Sequence, residues 1–131
     1  MAERIRTRLR DIVDNEERLA PGHRLCSGCA ESIIIRQVLH AIDHPVVIAT
    51  ATGCLEVSTS GYPFPSRPVP WIPSAFQNPT TTIGGIEAAY RVFKRTGRIP
   101  EDTDIKFLAI GGDGASYDIG LQFISGALER G

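Results

Sequence analysis

The sequence has almost no net charge: 14 lysines and arginines stand against 15 aspartates and glutamates, for a formal charge of −1. This balance excludes the basic surface with which proteins hold nucleic acid or an anionic membrane. The sequence also has no apolar run near the roughly 18 residues that span a bilayer. The arginine-rich residues 1–10 lack the apolar segment of a secretory signal, and acidic residues follow at once, unlike in a transit peptide. We therefore expect a cytoplasmic protein without nucleic-acid or membrane partners.

Cysteine is scarce, and the three that occur, Cys26, Cys29 and Cys54, are closely spaced. An odd number at such spacing does not suit a disulfide framework and indicates a reducing compartment and metal ligation. Two thiolates separated by two residues can hold one soft metal or one face of a cluster, and a thiol in a later loop can close on the same centre. The alternative is that these are buried structural cysteines. A four-ligand site needs a fourth group, from elsewhere or from a histidine.

The composition, with 42% hydrophobic and 22% charged residues, is typical of a globular protein, and residues 1–131 are short enough to form a single domain. Helical spacing of apolar residues predicts a helix over 3–20, so that residues 1–20 form a helical extension. Further predicted elements are helices over 29–42, 80–96 and 117–129, and strands over 46–49 and 105–110. Residues 50–72, rich in proline and glycine, are expected to lack regular structure, and loops of such length are usually functional or disordered.

Strands that alternate with helices predict an α/β fold, with a mostly parallel sheet flanked by helices. In the helix over 29–42, the side chains of Ile33, Ile34, Val38 and Leu39 are predicted to face the core. Two predicted strands cannot bury helices on both faces. We therefore expect the sheet to be incomplete in this chain and stable only against further polypeptide.

Gly112, Asp113 and Gly114 follow the second predicted strand and precede a helix. Glycines without Cβ let the backbone approach a ligand closely, and ligands bind at the carboxyl ends of the strands in such sheets. An aspartate at this place suits a Mg²⁺ ion that phosphate oxygens also bind. The tripeptide alone would equally suit an ordinary turn, so the hypothesis of a phosphate site depends on its position between strand and helix.

Separated blocks of sequence carry a resemblance to a known family. They read CSGCAE at 26–31, TGCLEV at 52–57, PW at 70–71 with AFQN at 75–78, and GGDG at 111–114 running into DIGLQ at 118–122. In this order they resemble the β subunits of the 2-oxoacid:ferredoxin oxidoreductases, above all the pyruvate-specific members. The similarity covers about residues 21–131. It implies the N-terminal part of a thiamine-diphosphate-binding fold of the α/β class.

The resemblance also implies a role for each matched residue. Cys26, Cys29 and Cys54 would ligate a [4Fe-4S] cluster, and Asp113 would bind the Mg²⁺ that holds thiamine diphosphate. The residues that would bind the cofactor are Glu31, Cys54, Gly112, Asp113, Gly114 and Ala115. In the family, the fourth cluster cysteine and an asparagine-containing segment of the Mg²⁺ site lie further along the chain.

The activity implied by resemblance is oxidative decarboxylation of pyruvate with coenzyme A to acetyl-CoA and CO₂, with electrons passed through the cluster to ferredoxin. The implied partners are ferredoxin and the other subunits of the complex, and no residue of this chain is expected to act as a catalytic acid or base. A related enzyme for 2-oxoisovalerate or 2-oxoglutarate remains open, because nothing in the sequence reads the shape of the substrate. A second alternative is a non-catalytic module in which zinc binds three cysteines and His23 or His40.

Overall fold

The sheet is built around one buried strand, β1 (Val46–Ala51). In the computed structural model, which describes residues 10, 13–61, 63 and 65–131, β1 pairs in parallel with β2 (Trp71–Ser74) on one side and with β3 (Lys106–Ile110) on the other. Helices flank this sheet, so the predicted α/β fold with a parallel sheet is confirmed. Three strands in the described residues are also consistent with the predicted incomplete sheet.

β1 occupies the centre of the sheet because it is apolar on both faces. All but one of its residues are buried, as expected for a continuous apolar run between two layers. The core cluster around it consists of Leu19, Ile35, Leu39, Val46, Ile48 and Leu55. Burial of one such side chain is worth about 1.5–3 kcal/mol, so the burial of this strand is a large term in the stability of the fold.

The described residues form five helices around the strands. They are α1 (Ala30–His40), α2 (Cys54–Thr59), α3 (Pro79–Arg95), α4 (Asp113–Tyr117) and α5 (Leu121–Arg130). The helices predicted over 29–42 and 80–96 are confirmed as α1 and α3. Gly97, just past α3, has a φ of +69°, the left-handed conformation in which glycine ends many helices. None of these helices is long and apolar enough to cross a membrane.

The prediction of which side of α1 is buried is wrong at three of four positions. Leu39 is buried, but Ile33, Ile34 and Val38 are exposed, and Ile35 is buried in their place. The helix contacts the core along a single i, i+4 row, formed by Ile35 and Leu39. Successive residues lie about 100° apart around a helix, so the other three apolar side chains fall beside this contact rather than on it.

The expectation that residues 50–72 lack regular structure is wrong at several points. β1 continues to Ala51, α2 begins at Cys54, and β2 begins at Trp71. β2 was not predicted because it contains Pro73, and proline lacks the N–H group that a central strand must donate. It is tolerated here because β2 is an edge strand of the described sheet.

The side chain of Arg67 ties α2 to the start of β2. It donates to the Thr59 hydroxyl at 2.9 Å and to the Glu56 carbonyl oxygen at 2.5 Å, and it lies 3.3 Å from the Glu56 carboxylate. Its guanidinium carbon also lies 5.5 Å from the centre of the Trp71 ring. Arg67 and Glu56 have only 9% and 15% of their side chains exposed, so these bonds are poorly screened by water.

The helix predicted over 117–129 is found as α5, which begins four residues later than predicted, and a further short helix, α4, precedes it. α4 ends at Tyr117 and α5 begins at Leu121, with a break between them. The break is stabilised by close packing, because a Cβ on Gly120 would overlap the carbonyl group of Ala115, whose carbon would lie 2.5 Å away. The Gly120 N–H also donates to the Gly114 carbonyl oxygen at 3.3 Å. This contact holds the start of α5 against the first turn of α4.

Half of the N-terminal helix predicted over 3–20 lies outside the described residues. Residues 13–20, which are described, run as turns and bends, so the helix does not extend over them. This segment instead satisfies carbonyl groups at the end of α1. The Asn15 amide donates to the His40 carbonyl at 2.8 Å, and Arg18 donates to those of Ile42 and His44 at 2.8 and 2.9 Å. Such side-chain bonds replace the partners that the last turn of a helix lacks.

We expect Gly120→Ala to destabilise the protein by about 3 kcal/mol, because the added methyl group meets backbone atoms of Ala115 that cannot move independently. The matched control is Gly85→Ala in α3, where an added Cβ meets no atom within 4 Å. That change should be neutral or stabilise by up to about 1 kcal/mol. Thermal unfolding of the full-length protein measures both, and equal midpoints for the two variants would contradict the packing described here.

We expect Arg67→Gln to cost about 2–3 kcal/mol, because it leaves the nearly buried carboxylate of Glu56 without its cation. The control is Arg91→Gln, which removes an exposed pair with Glu87 on α3. Exposed pairs one helical turn apart are worth roughly 0.5 kcal/mol or less. Chemical unfolding of the full-length variants gives both values, and a cost for Arg67→Gln no larger than that of the control would disprove the tie.

Candidate cofactor site

A cavity of about 370 Å³ opens at the carboxyl ends of β1 and β3. Because the two strands are parallel neighbours, their carboxyl ends lie at the same edge of the sheet, the place where such sheets bind ligands. Pockets for small ligands occupy roughly 300–1,000 Å³, so this cavity is of suitable size. Its walls include four of the predicted cofactor residues, namely Glu31, Cys54, Gly112 and Asp113.

Asp113 is the first residue of α4, and its side chain is exposed at the cavity. No donor or cation among the described residues pairs with its carboxylate. Gly112 caps this short helix in an extended conformation, and a Cβ added to it would meet no atom within 4 Å. Neither backbone strain nor a neighbouring side chain therefore requires glycine at 112, and the open side of its backbone is available to a ligand.

Gly53 repeats this arrangement after β1, and it was not among the predicted residues. It caps α2, lines the same cavity, and has open space where a Cβ would lie. The signal in the sequence was a glycine two positions after the end of an apolar strand, as at Gly112. Two bare stretches of backbone and one free carboxylate form a cradle that suits a diphosphate with its Mg²⁺, because hard oxygen ligands are what Mg²⁺ prefers.

Glu31 and Cys54 line the cavity, and each lies in the first turn of a helix. Glu31, in the first turn of α1, is half-buried, and the loss of water around it raises the pKa of its carboxyl above the usual value. Cys54 is the first residue of α2, and its thiol is free and exposed. The two side chains thus bring an acid and a soft metal ligand to the same space.

Gly114 and Ala115 stand behind the cavity wall rather than on it. Ala115 is buried, with 2% exposure, and packs so close to Gly111 that a Cβ there would lie 2.9 Å from its own. Gly114 lies under the ring of Phe76, a wall residue that the sequence analysis did not assign to the cofactor. These two predicted residues therefore shape the loop around Asp113 instead of facing the cavity.

Cys26 and Cys29 form a separate turn before α1. The Cys29 N–H donates to the Cys26 carbonyl at 3.0 Å, and Gly28 between them has a φ of +76°. Both thiols are free, and Glu31, two residues further on, reaches the cavity that Cys54 lines. In the described part of the chain, however, no three of the cysteine, histidine, aspartate and glutamate side chains converge as a metal site. The thiols fit a cluster in chemistry but not in arrangement.

The histidines considered as a fourth ligand lie elsewhere. His40 is buried at the far end of α1, about 16 Å along the helix from Cys29, and its Nε2 lies 3.3 Å from a carboxylate oxygen of Glu17. His23 lines a different cavity, between residues 17–23 and α1. This placement gives no support to the alternative of a zinc site on three cysteines and a histidine.

The chain is similar to subunits of two enzymes, pyruvate synthase and ketoisovalerate oxidoreductase. It is 50% identical over 116 residues to pyruvate synthase subunit PorB of Thermotoga maritima. The match covers 86% of this chain and 36% of that protein. The chain is equally similar to PorB of Methanocaldococcus jannaschii, at 50% over 116 residues, 88% of this chain and 39% of the relative. Ketoisovalerate oxidoreductase subunit VorB of Pyrococcus abyssi is 32% identical over 116 residues, 88% of this chain and 37% of that protein.

No model of a protein family matches the chain. The chain spans less than two fifths of the length of the curated relatives described above. The matched stretch takes in 86–88% of this chain. Over the stretch that it covers, the chain therefore belongs to the family of the pyruvate synthase PorB and ketoisovalerate oxidoreductase VorB subunits.

Proposed function

We propose that the chain forms the diphosphate-binding part of a thiamine diphosphate site in the PorB-type β subunit of a pyruvate:ferredoxin oxidoreductase. The observation that carries this proposal is the cavity at the ends of β1 and β3, where Glu31, Cys54, Gly112 and Asp113 meet. The proposed activity of the whole complex is oxidative decarboxylation of pyruvate with coenzyme A to acetyl-CoA and CO₂, with ferredoxin as electron acceptor.

In this site Asp113 would bind Mg²⁺ through its free carboxylate, and the ion would neutralise the charge of the diphosphate. The open backbone at Gly53 and Gly112 allows phosphate oxygens to approach without meeting a side chain. When bound, thiamine diphosphate supplies the carbanion chemistry of 2-oxoacid decarboxylation, and the protein supplies binding, orientation and electrostatics. The residues of this chain thus hold and orient the cofactor.

The three thiols are the proposed ligands of an iron–sulfur cluster beside this cavity. Cys54 is already on the cavity wall, and the turn of Cys26 and Cys29 directly precedes the helix that carries Glu31. Since the thiols do not converge in the described residues, we propose that cluster binding draws the turn towards Cys54. A fourth ligand must come from outside these residues, because a typical cluster has four.

The assembly and the substrate are also part of the proposal. The relatives are named as subunits, which supports a place for this chain in a multi-subunit complex. Pyruvate is the favoured substrate because the PorB relatives reach 50% identity, against 32% for the VorB relative. An enzyme for 2-oxoisovalerate is the second candidate, supported by that weaker match.

We expect Asp113→Asn to raise the dissociation constant of thiamine diphosphate in the presence of Mg²⁺ by about tenfold or more, or at least about 1.4 kcal/mol. The volume is kept, but the charge that attracts the cation is lost. The unfolding midpoint of the complex without cofactor should not change, because the carboxylate is exposed and unpaired among the described residues. Calorimetric titration of the assembled complex measures the constant. Asp102→Asn, in an exposed turn before β3, is the control, and equal constants for the two variants would refute the role of Asp113.

We expect Cys54→Ser to lower both the iron content of the anaerobically purified complex and its rate of ferredoxin reduction, with the amount of complex unchanged. Serine keeps the shape of the side chain but is a far weaker ligand for iron than a thiolate. Ser60→Ala, at the exposed end of α2, is the control. Stoichiometric zinc without iron in the unaltered complex would contradict the cluster and favour the zinc module.

A further inference from the structure

The ring of Phe76 is packed against the loop that carries Asp113. A Cβ placed on Gly114 would lie 2.5 Å from Cζ and 2.7 Å from Cε1 of this ring, closer than carbon atoms approach one another. The φ angle of Gly114 is not positive, so its backbone conformation is open to any residue. Glycine is needed at 114 because the aromatic ring occupies the space that a side chain would take.

Phe76 is itself held in place by the turn between β2 and α3. At the end of β2, the Ser74 carbonyl accepts the N–H and the hydroxyl of Thr52 at 3.1 and 3.0 Å. The Ser74 hydroxyl lies 2.6 Å from that of Thr82 on α3. Between them the chain closes a turn in which the N–H of Asn78 donates to the carbonyl of Ala75 at 2.8 Å. These bonds fix the backbone of Phe76 relative to the carboxyl end of β1.

The ring nevertheless keeps 44% exposure, and it forms part of the cavity wall together with Asp113 and Cys54. The residue after Gly114 in α4, Ala115, is held separately, by close contacts with Gly111 and Gly120. Gly114 therefore has the Phe76 ring packed on it, and the residue after it is held by glycine contacts. Phe76 thus contacts Gly114 from outside α4, from the turn between β2 and α3.

We propose that Phe76 is a positioning residue for the Mg²⁺–diphosphate site: by packing on Gly114 it holds the first turn of α4 in the position that presents the Asp113 carboxylate to the metal. The inference rests on the proposed function, since it concerns the same site. Groups that orient a metal ligand typically change metal affinity 10- to 100-fold when they are removed. The effect should therefore appear in the Mg²⁺ dependence of cofactor binding rather than in the stability of the fold.

The test is equilibrium binding of thiamine diphosphate to the assembled complex, without bound cofactor, at increasing Mg²⁺ concentration. We expect Phe76→Ala to raise the Mg²⁺ concentration at half-saturation about tenfold, with the unfolding midpoint of the cofactor-free complex unchanged. Phe93→Ala, which removes a ring of similar exposure from α3, is the control and should leave the Mg²⁺ dependence unchanged.

A double-mutant cycle separates positioning from a general loss of packing. Gly114→Ala should have a similar effect, because the added methyl group would push Cζ and Cε1 of the Phe76 ring away from this position. Since both changes break the same contact, the double variant should be no worse than the more severe single variant. An additive double variant, or a Phe76→Ala protein with the Mg²⁺ dependence of the control, overturns the positioning role alone. Failure of the unaltered complex to bind thiamine diphosphate overturns the proposed function, and this inference with it.

Discussion

The parallel pairing of β1 with both of its neighbours is the constraint on which the rest of the structure depends. Ala51 stands opposite Ser74 of β2, and Thr50 stands opposite Ile110 of β3, so all three strands end at one edge of the sheet. The segments that follow them are α2, the turn with Phe76, and the loop with Asp113. They are far apart in sequence, and they meet only because their strands run in the same direction.

Around this edge, closely packed positions and open positions have different roles. Arg67 holds α2 through hydrogen bonds and an ion pair. Backbone atoms of Ala115 pack closely on Gly120, and ring atoms of Phe76 pack closely on Gly114. Gly53 and Gly112, in contrast, have open space where a side chain would lie. The residues with close contacts keep the segments in place, and those without them face the cavity. The lack of internal partners is what makes this surface available to a ligand.

Much of the fold could be predicted because it depends on local pattern. β1 is a continuous apolar run, and α3 has apolar residues at helical spacing with Gly97 after its end. The errors arose where tertiary contacts override such patterns. Pro73 argues against a strand unless the strand is known to lie at an edge of the sheet. The predicted C-terminal helix begins only at Leu121, because Gly120 packs against Ala115, which lies outside the predicted helix.

The chemistry of the site is determined by the sequence itself: the thiols, the carboxylates of Glu31 and Asp113, and the glycines that follow the strands are all visible in the order of residues. Which of them share a cavity was decided by the tertiary structure. Four predicted residues meet there, while Gly114 and Ala115 stand behind the wall and the turn of Cys26 and Cys29 remains separate. Residue type sets what a side chain can bind, but only the register of the strands and the packing of distant segments set which side chains meet. For that reason Gly53 and Phe76 became apparent as wall residues only in the folded chain.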